Sequence, residues 1–403
     1  METYHIRKQI HRIPGKVIRH VPLPQVQVVE GHGARRQIGE ICKQQGYQHV
    51  LVVTDQTLSG LGYEQAITRA LDEAHVGYAV FNEINSEPNI PVIEACRKKA
   101  LECQAECVIA LGGGSVMDTC KIVVAGAKMP KRSIPSLLMK FLPVRGKTLP
   151  MITVPSTAGT GAEVTVCAVV HNSHGVKDST VLIGLNVTHV VLDSELTIHA
   201  PQGVTAACGM DALSHVIEGA VSDIEVDVAD MYLSMEGVRL IMQHLPIVMR
   251  EPENIDSRLA LCRAAFFGGH AINTQLAGYV HAFAHSIGAK YNLPHGQAIS
   301  LMLLPVLESQ KSACVARYAI LARYCKVVDY EATDEQAADQ FLQAIARLQE
   351  QCGMDKLVSP VKASDYEELT QMIVRDSINY SAPVTMNKND IEQILKSVTP
   401  NNE

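Results

Sequence analysis

Cys107-Val108-Ile109-Ala110-Leu111-Gly112-Gly113-Gly114-Ser115-Val116-Met117-Asp118 is the stretch on which the fold class turns. Its first five residues are apolar, the length and character of a strand buried on both faces of a parallel sheet. Glycines end that run, and a helical pattern over Ser115–Ala127 follows. Glycine lets the backbone approach a phosphate closely. The new helix offers unpaired N–H groups and the positive end of its dipole. A tight strand-to-helix turn with no ligand would use the same residues, so the stretch indicates architecture first and chemistry second.

Reading outward, the same alternation recurs. Short strands are expected at Val26–Glu30, His49–Asp55, Gly77–Asn82, Met151–Val154 and Thr188–Asp193, and helices at Gly33–Gln45, Gly60–Ala74 and Ile90–Cys103. Strand and helix in alternation predict a parallel α/β sheet. From about Thr197–Gly203 onward the pattern is helical only: Ala206–Val221, Glu225–Leu245, Ser257–Asn273, Leu276–Tyr291, Ala298–Leu307, Ser312–Tyr324, Asp334–Gln351 and Ala363–Arg375. The expectation is therefore an α/β domain over residues 1–198 and an all-helical domain over residues 199–403. A chain of 403 residues is long enough for two cores.

Composition narrows the function classes. Charged residues make up 19% and apolar ones 47%, an ordinary globular balance. The net charge of −7, the absence of Trp and the lack of a basic block argue against nucleic acid as a partner. The eleven cysteines include no Cys-x-x-Cys pair, and Cys103 and Cys107 read as packed residues. Cysteine usage suits a reducing compartment, and the first twelve residues lack the apolar core of a signal peptide, so a cytoplasmic location is expected. No apolar run is long enough to span a membrane.

Three further features bear on chemistry. Pro155-Ser156-Thr157-Ala158-Gly159-Thr160-Gly161-Ala162-Glu163 also follows a strand and is dense in small and hydroxyl residues that can hydrogen-bond a pyrophosphate. Two such loops at strand ends reinforce each other. Asp55 closes the strand His49–Asp55, where a carboxylate can accept from a ribose and repel a 2′-phosphate; a helix cap is the commoner role there. The third feature is a cluster of metal-type ligands. Asp211 and His215 are four apart in a helical stretch, as are His281 and His285, and His295 follows at a turn. Asp211 with three of these four histidines would make an N₃O set for a divalent ion with an open position. One carboxylate leaves the ion net positive and able to polarise a substrate oxygen. His171, His174, His189 and His270 read as packing or surface residues.

On these motifs the chain resembles the iron-containing alcohol dehydrogenase family over most of its length. The shared features, in order, are the loop Gly112–Asp118, the loop Pro155–Glu163, the Asp211/His215 helix, and the run His281, His285, Pro294-His295-Gly296. The resemblance implies a Rossmann-like α/β domain followed by a helical domain, the architecture of dehydroquinate synthase-like proteins. It implies Asp211, His215, His281 and His295 as metal ligands, with Fe²⁺ expected ahead of Zn²⁺. His285 would be a proton relay near the nicotinamide. Gly113, Gly114 and Ser115 would take the pyrophosphate, with Val116, Met117 and Asp118 completing that turn. Ser156, Thr157, Gly159 and Thr160 would lie along the phosphates and nicotinamide. Asp55 would select NAD over NADP, and Lys177 would contact the cofactor. Cys167, bordering both cofactor and substrate, would line a pocket with Ile272 and Ile378. A homo-oligomer, dimer or larger, is expected by the same analogy.

The implied reaction is hydride transfer between a small primary alcohol and NAD. The chain departs from the family where Ala382-Pro383-Val384 replaces the frequent Asn-Pro-Arg, which leaves the substrate open. Rival readings are a hydroxy-acid dehydrogenase of the 4-hydroxybutyrate type and a non-catalytic binding protein on a retired scaffold. Dehydroquinate synthesis would need Glu at Asp211, and maleylacetate-type reduction does not keep the ligand set.

Overall fold

The computed structural model describes residues 21–84, 88–171, 177–225, 227–355, 357–378 and 380–400. They divide into a sheet unit, Val21–His199, and a helical unit that begins at Ala200.

Six parallel strands form the main sheet of the first unit: β1 (Gln27–Gly31), β2 (His49–Asp55), β3 (Gly77–Ile84), β4 (Cys107–Gly112), β6 (Met151–Pro155) and β9 (Val187–Asp193). Their order is β1-β9-β6-β4-β2-β3. Val50–Val53 and Cys107–Leu111 are fully buried, which accounts for the unbroken apolar runs that mark these strands in the sequence. The helices of this unit are α1 (Ile38–Gln44), α2 (Gln56–Gly60), α3 (Tyr63–Glu73), α4 (Ile90–Glu102), α5 (Gly114–Lys128) and α6 (Ile134–Leu137). In α3 the buried residues are Tyr63, Ile67, Ala70 and Leu71, one apolar stripe of a helix lying on a sheet.

The winding of the sheet sets the ligand-binding edge. β3 lies on one side of β2, and the chain then crosses to lay β4 on the other. The carboxyl ends of β2 and β4 therefore form a topological switch point, where open α/β sheets leave a crevice. Asp55 stands at the end of β2 and Gly112–Gly114 at the end of β4. β6 pairs with β4 on the far side, with Gly112 opposite Pro155, so the loop after β6 emerges at the same edge.

A second, three-stranded sheet was not expected from the sequence: β5 (Phe141–Pro143), β7 (Cys167–His171) and β8 (Lys177–Ile183), in the order β5-β8-β7. β7 and β8 are antiparallel. Its strands are short, and β8 opens on Lys-Asp-Ser-Thr, so no apolar run announces it.

The helical unit contains α7 (Gln202–Val221), α8 (Val228–Arg250), α9 (Ile255–Gln275), α10 (Tyr279–Tyr291), α11 (His295–Tyr324), α12 (Asp334–Gln351), α13 (Tyr366–Ser377) and α14 (Lys388–Val398). Helix α7 is its centre: every residue from Gly209 to Val221 is buried. A helix buried on all sides cannot send a polar side chain to water, so its acidic and imidazole groups need partners inside the protein. One expectation is corrected here. Residues 298–324, read as two helices, belong to the single thirty-residue helix α11, which runs on through Pro305. The polar stretch 308–311 between the two expected helices is itself helical. Glu308 and Ser309 point outward while Gln310 is buried, so the period continues.

Candidate functional site

The sheet unit gathers three sequence features at one edge. Helix α5 begins at Gly114 with no side chain capping it, so its first amides are left for an outside acceptor. The β6 loop is tied to it by Ser156 N–H donating to Gly112 O at 3.0 Å. A Cβ on Gly113 would stand 3.4 Å from Thr157 Oγ1, and one on Gly114 would stand 3.4 Å from Thr160 Oγ1 and Cγ2. Larger residues there would fill the concave turn between the two loops. Thr157 and Thr160 are partly accessible, whereas Ser156 and Gly159 are buried. Thr160 Oγ1 accepts from Ala162 N at 3.2 Å. Asp55 caps α2, accepting from Leu58 N–H at 2.9 Å through Oδ1.

The remaining residues of the glycine turn are engaged by the fold. The side chains of Val116 and Met117 are buried, and Met117 N–H bonds back to Gly113 O. Asp118 accepts from Lys121 Nζ at 3.0 Å and from Val169 N–H at 2.9 Å. Lys121 is itself fully buried and also donates to Thr165 Oγ1 and to Cys167 O, at 2.8 and 2.6 Å. This ammonium, absent from the sequence reading, fastens α5 to β7. Burial pushes the Cys167 thiol up to about 11, against the opposing effect of Lys121. Lys177 opens β8, but its side chain lies outside the described residues, as does the whole of His174.

The helical unit brings the Asp and His candidates together. Asp211 Oδ1 lies 3.2 Å from His295 Nε2, 3.6 Å from His215 Nε2 and 3.7 Å from His281 Nε2. The ligand atoms of Asp211, His281 and His295 are all within 4.8 Å of one another. The rings of His215 and His281 stack with centroids 4.6 Å apart. Asp211, His215 and His281 are almost fully buried, while His295 keeps 35% of its side chain exposed, which leaves one open side. Asp211 Oδ1 and His281 Nε2 are buried without a hydrogen-bond partner among the described residues.

Electrostatics tie the group together. Burial opposes ionisation of Asp211, but the surrounding imidazoles outweigh it and hold the carboxyl well below its ordinary range. Burial likewise disfavours a charged His281, yet Glu218 and Asp211 push its pKa up to about 9. Glu218, unnoticed in the sequence reading, is buried and accepts from His281 Nδ1 at 2.5 Å and from Val280 N–H at 2.6 Å. The available signal was its place on the stripe of Asp211, seven residues on, in an otherwise apolar helix.

His285 stands apart from its neighbour four residues earlier. It is exposed, its Nδ1 lies 2.9 Å from the Tyr380 hydroxyl, and its ring stacks on His295 at 5.1 Å. Ile272 is half-buried on α9, and Ile378 at the end of α13 is 41% exposed. Of the other histidines, His270 is held by Asp230 at 2.6 Å, His189 is buried beside Thr188, and His171 ends β7.

A doubly wound sheet with a glycine turn at its switch point, together with a buried carboxylate ringed by imidazoles, describes a two-domain oxidoreductase. Residues 24–194 match the family described as iron-containing alcohol dehydrogenase, and residues 205–399 match the C-terminal domain of the same family. The chain belongs to the iron-containing alcohol dehydrogenase family. It is 26% identical over 382 residues to alcohol dehydrogenase 4 of Saccharomyces cerevisiae, covering 91% of this chain and 95% of that one. A crystal structure of 1,3-propanediol oxidoreductase superposes with a TM-score of 0.86 at 27% identity, covering 93% and 98% of the two chains. Sulfoacetaldehyde reductase from Bifidobacterium kashiwanohense, solved in complex with NAD⁺, superposes with a TM-score of 0.85 at 26% identity, covering 94% and 98%. The protein is an oxidoreductase that interconverts an alcohol and its aldehyde. No helix among the described residues is long and apolar enough to cross a membrane.

Proposed function

We propose that the protein is an NAD-dependent dehydrogenase of small primary alcohols whose divalent metal is held by Asp211, His215, His281 and His295. The observation that carries the reading is the buried Asp211 Oδ1, facing three imidazole Nε2 atoms at 3.2 to 3.7 Å and lacking a hydrogen-bond partner among the described residues. Ligand atoms about 2.0–2.2 Å from a common tetrahedral centre stand roughly 3.3–3.6 Å apart, so the donor set suits one transition-metal ion. Iron is favoured by family, and zinc suits the same N₃O donors. When bound, the metal would supply a Lewis acid that favours the alkoxide, and NAD would supply the hydride acceptor.

The chain's own residues supply position and proton handling. The amides of Gly114, Ser115 and Val116, with Thr157 and Thr160, bind the pyrophosphate at the head of α5. Asp55 stands where the adenosine ribose would lie. Its Oδ2 remains for a ribose hydroxyl while Oδ1 holds the cap, and its charge disfavours a 2′-phosphate. His285, exposed and paired with Tyr380, takes the alcohol proton toward solvent. Cys167, Ile272 and Ile378 carry no charge to pair with an anionic substrate tail. None of the eleven cysteines is in a disulfide, in keeping with a reducing, cytoplasmic setting. Family likeness also suggests a homo-oligomer.

The test is metal content and turnover in Asp211→Ala and His295→Ala, each folded by circular dichroism. Both variants are expected to lose the metal and nearly all NAD-linked alcohol oxidation. Retained metal and turnover in both would overturn the assignment, and a wild type that binds NAD and metal yet oxidises no alcohol would point to a retired scaffold.

A further inference from the structure

We propose that Glu218 is a positioning residue that fixes the tautomer and orientation of His281 for metal binding; the proposal rests on the metal site described above. Glu218 shares a helix with two of the proposed ligands. Asp211, His215 and Glu218 sit at spacings of four and seven along α7, which is one stripe of the helix. The carboxylate is 4% exposed and both its oxygens are in use. Oε2 lies 2.5 Å from His281 Nδ1, and Oε1 accepts the Val280 N–H at 2.6 Å.

The first contact determines which ring nitrogen is free. A carboxylate only accepts, so His281 Nδ1 must carry the hydrogen. In the neutral ring Nε2 then presents a lone pair, and that is the atom facing Asp211. The second contact secures the helix. Val280 lies in the first turn of α10, where an amide has no partner within the helix and a negative charge is favoured by the dipole. One side chain thus anchors both the start of α10 and the ligand one residue further on. The chain leaves room for this: a Cβ on Gly278 would come within 2.7 Å of Glu218 Oε1. The backbone there, at φ −128° and ψ −152°, suits any residue, so the glycine is needed for the space.

The geometry calls for two acceptors, and this makes Glu218→Gln the decisive change. An amide has one acceptor and one two-hydrogen donor. With its oxygen toward Val280, the amide group donates to Nδ1 and stabilises the tautomer that carries its hydrogen on Nε2. With its oxygen toward Nδ1, the amide group meets the Val280 N–H. Either arrangement disfavours the ligand.

The experiment titrates metal-free full-length chain with Zn²⁺ alone, and with Co²⁺, whose visible absorption reports coordination geometry. Glu218→Gln should weaken Zn²⁺ binding by about 10- to 100-fold and alter the Co²⁺ spectrum, with the circular dichroism of the metal-free chain unchanged. Gly278→Ala, which keeps the carboxylate but displaces it, should weaken Zn²⁺ binding in the same direction and serves if Glu218→Gln does not fold. Wild-type Zn²⁺ affinity and Co²⁺ spectrum in a folded Glu218→Gln or in Gly278→Ala would overturn the role of Glu218. Zinc binding that survives Asp211→Ala unchanged would instead remove the metal site itself, and this proposal with it.

Discussion

His281 and His285 occupy one face of α10, four residues apart, and replacing each with alanine should produce opposite failures. His281 is 3% exposed, its Nε2 is 3.7 Å from Asp211 Oδ1, and its Nδ1 is held by Glu218. His285 is exposed and paired with Tyr380. His281→Ala removes a buried donor and leaves Glu218 buried without its imidazole, while Asp211 keeps His215 and His295 beside it. Breaking a buried charged pair in this way costs about 3–5 kcal/mol of folding stability, and the lost donor should leave the dialysed variant with little or no metal. His285→Ala removes no such donor. It should keep the metal at wild-type stoichiometry and lower kcat by about 10²- to 10⁴-fold, the usual worth of a general acid–base group, with a changed pH–rate profile. Tyr380→Phe, which deletes only the hydroxyl, should have a smaller effect of the same kind. The assay is metal analysis of dialysed protein beside steady-state NADH formation from pH 6 to 10. The reasoning fails if His285→Ala loses metal as His281→Ala does, or if its kcat and pH profile match the wild type.

Three further outcomes are expected. Asp55→Asn keeps the cap on Leu58 N–H but removes the charge, so the preference for NAD over NADP should shrink by about 1–3 kcal/mol, or roughly one to two orders of magnitude; a wild type that prefers NADP would contradict the role of Asp55. Burial pushes the Glu163 carboxyl from 4.5 up to about 7, outweighing its own backbone N–H and Lys121. The folded chain therefore keeps a proton that the unfolded chain releases, and stability falls as pH rises from 4.5 to 7, by about 3 kcal/mol in all; urea unfolding should show Glu163→Gln gaining on the wild type by that amount across this window, and a constant difference would refute it. Ile272→Phe should lower kcat/KM more for a six-carbon alcohol than for ethanol, since each buried methylene is worth ~0.8 kcal/mol; equal losses would exclude Ile272 from the path of the alkyl tail.

The parts of the fold legible in the sequence are those whose burial is uniform. Strands β2 and β4 are covered on both faces along Val50–Val53 and Cys107–Leu111, so these runs are apolar without interruption and need no partner to be recognised. The second sheet has no such mark. Cys167 to His171 alternates in burial, and β8 begins with four polar or charged residues, so its pairing depends on β7 being alongside. The C-terminal helix α14 carries its own start signal, the reciprocal capping of Asn387 and Asp390, which a search for apolar runs does not detect. In α11 the error has the opposite cause. A polar quartet resembles a loop when its composition is weighed, and resembles a helix face only when its period is followed past Glu308 and Ser309 to Gln310.

The site separates along similar lines. Helical spacing groups Asp211 with His215, and His281 with His285, because side chains four apart share a face. Spacing cannot tell which of two imidazoles turns inward, since both lie within the same arc. That distinction is made by contacts distant in sequence: Glu218 meets His281 across 63 positions, and Tyr380 meets His285 across 95. The acid was nonetheless detectable in principle. Gly209 to Val221 is buried without exception, and three of its residues are Asp211, His215 and Glu218 on one stripe. An acidic residue two turns beyond an aspartate, inside a helix with no solvent face, must answer to some positive or hydrogen-donating group. A helix that buries two carboxylates and an imidazole on one stripe is costly as a scaffold alone. It becomes economical once one carboxylate faces a cation and the other holds the imidazole that faces it.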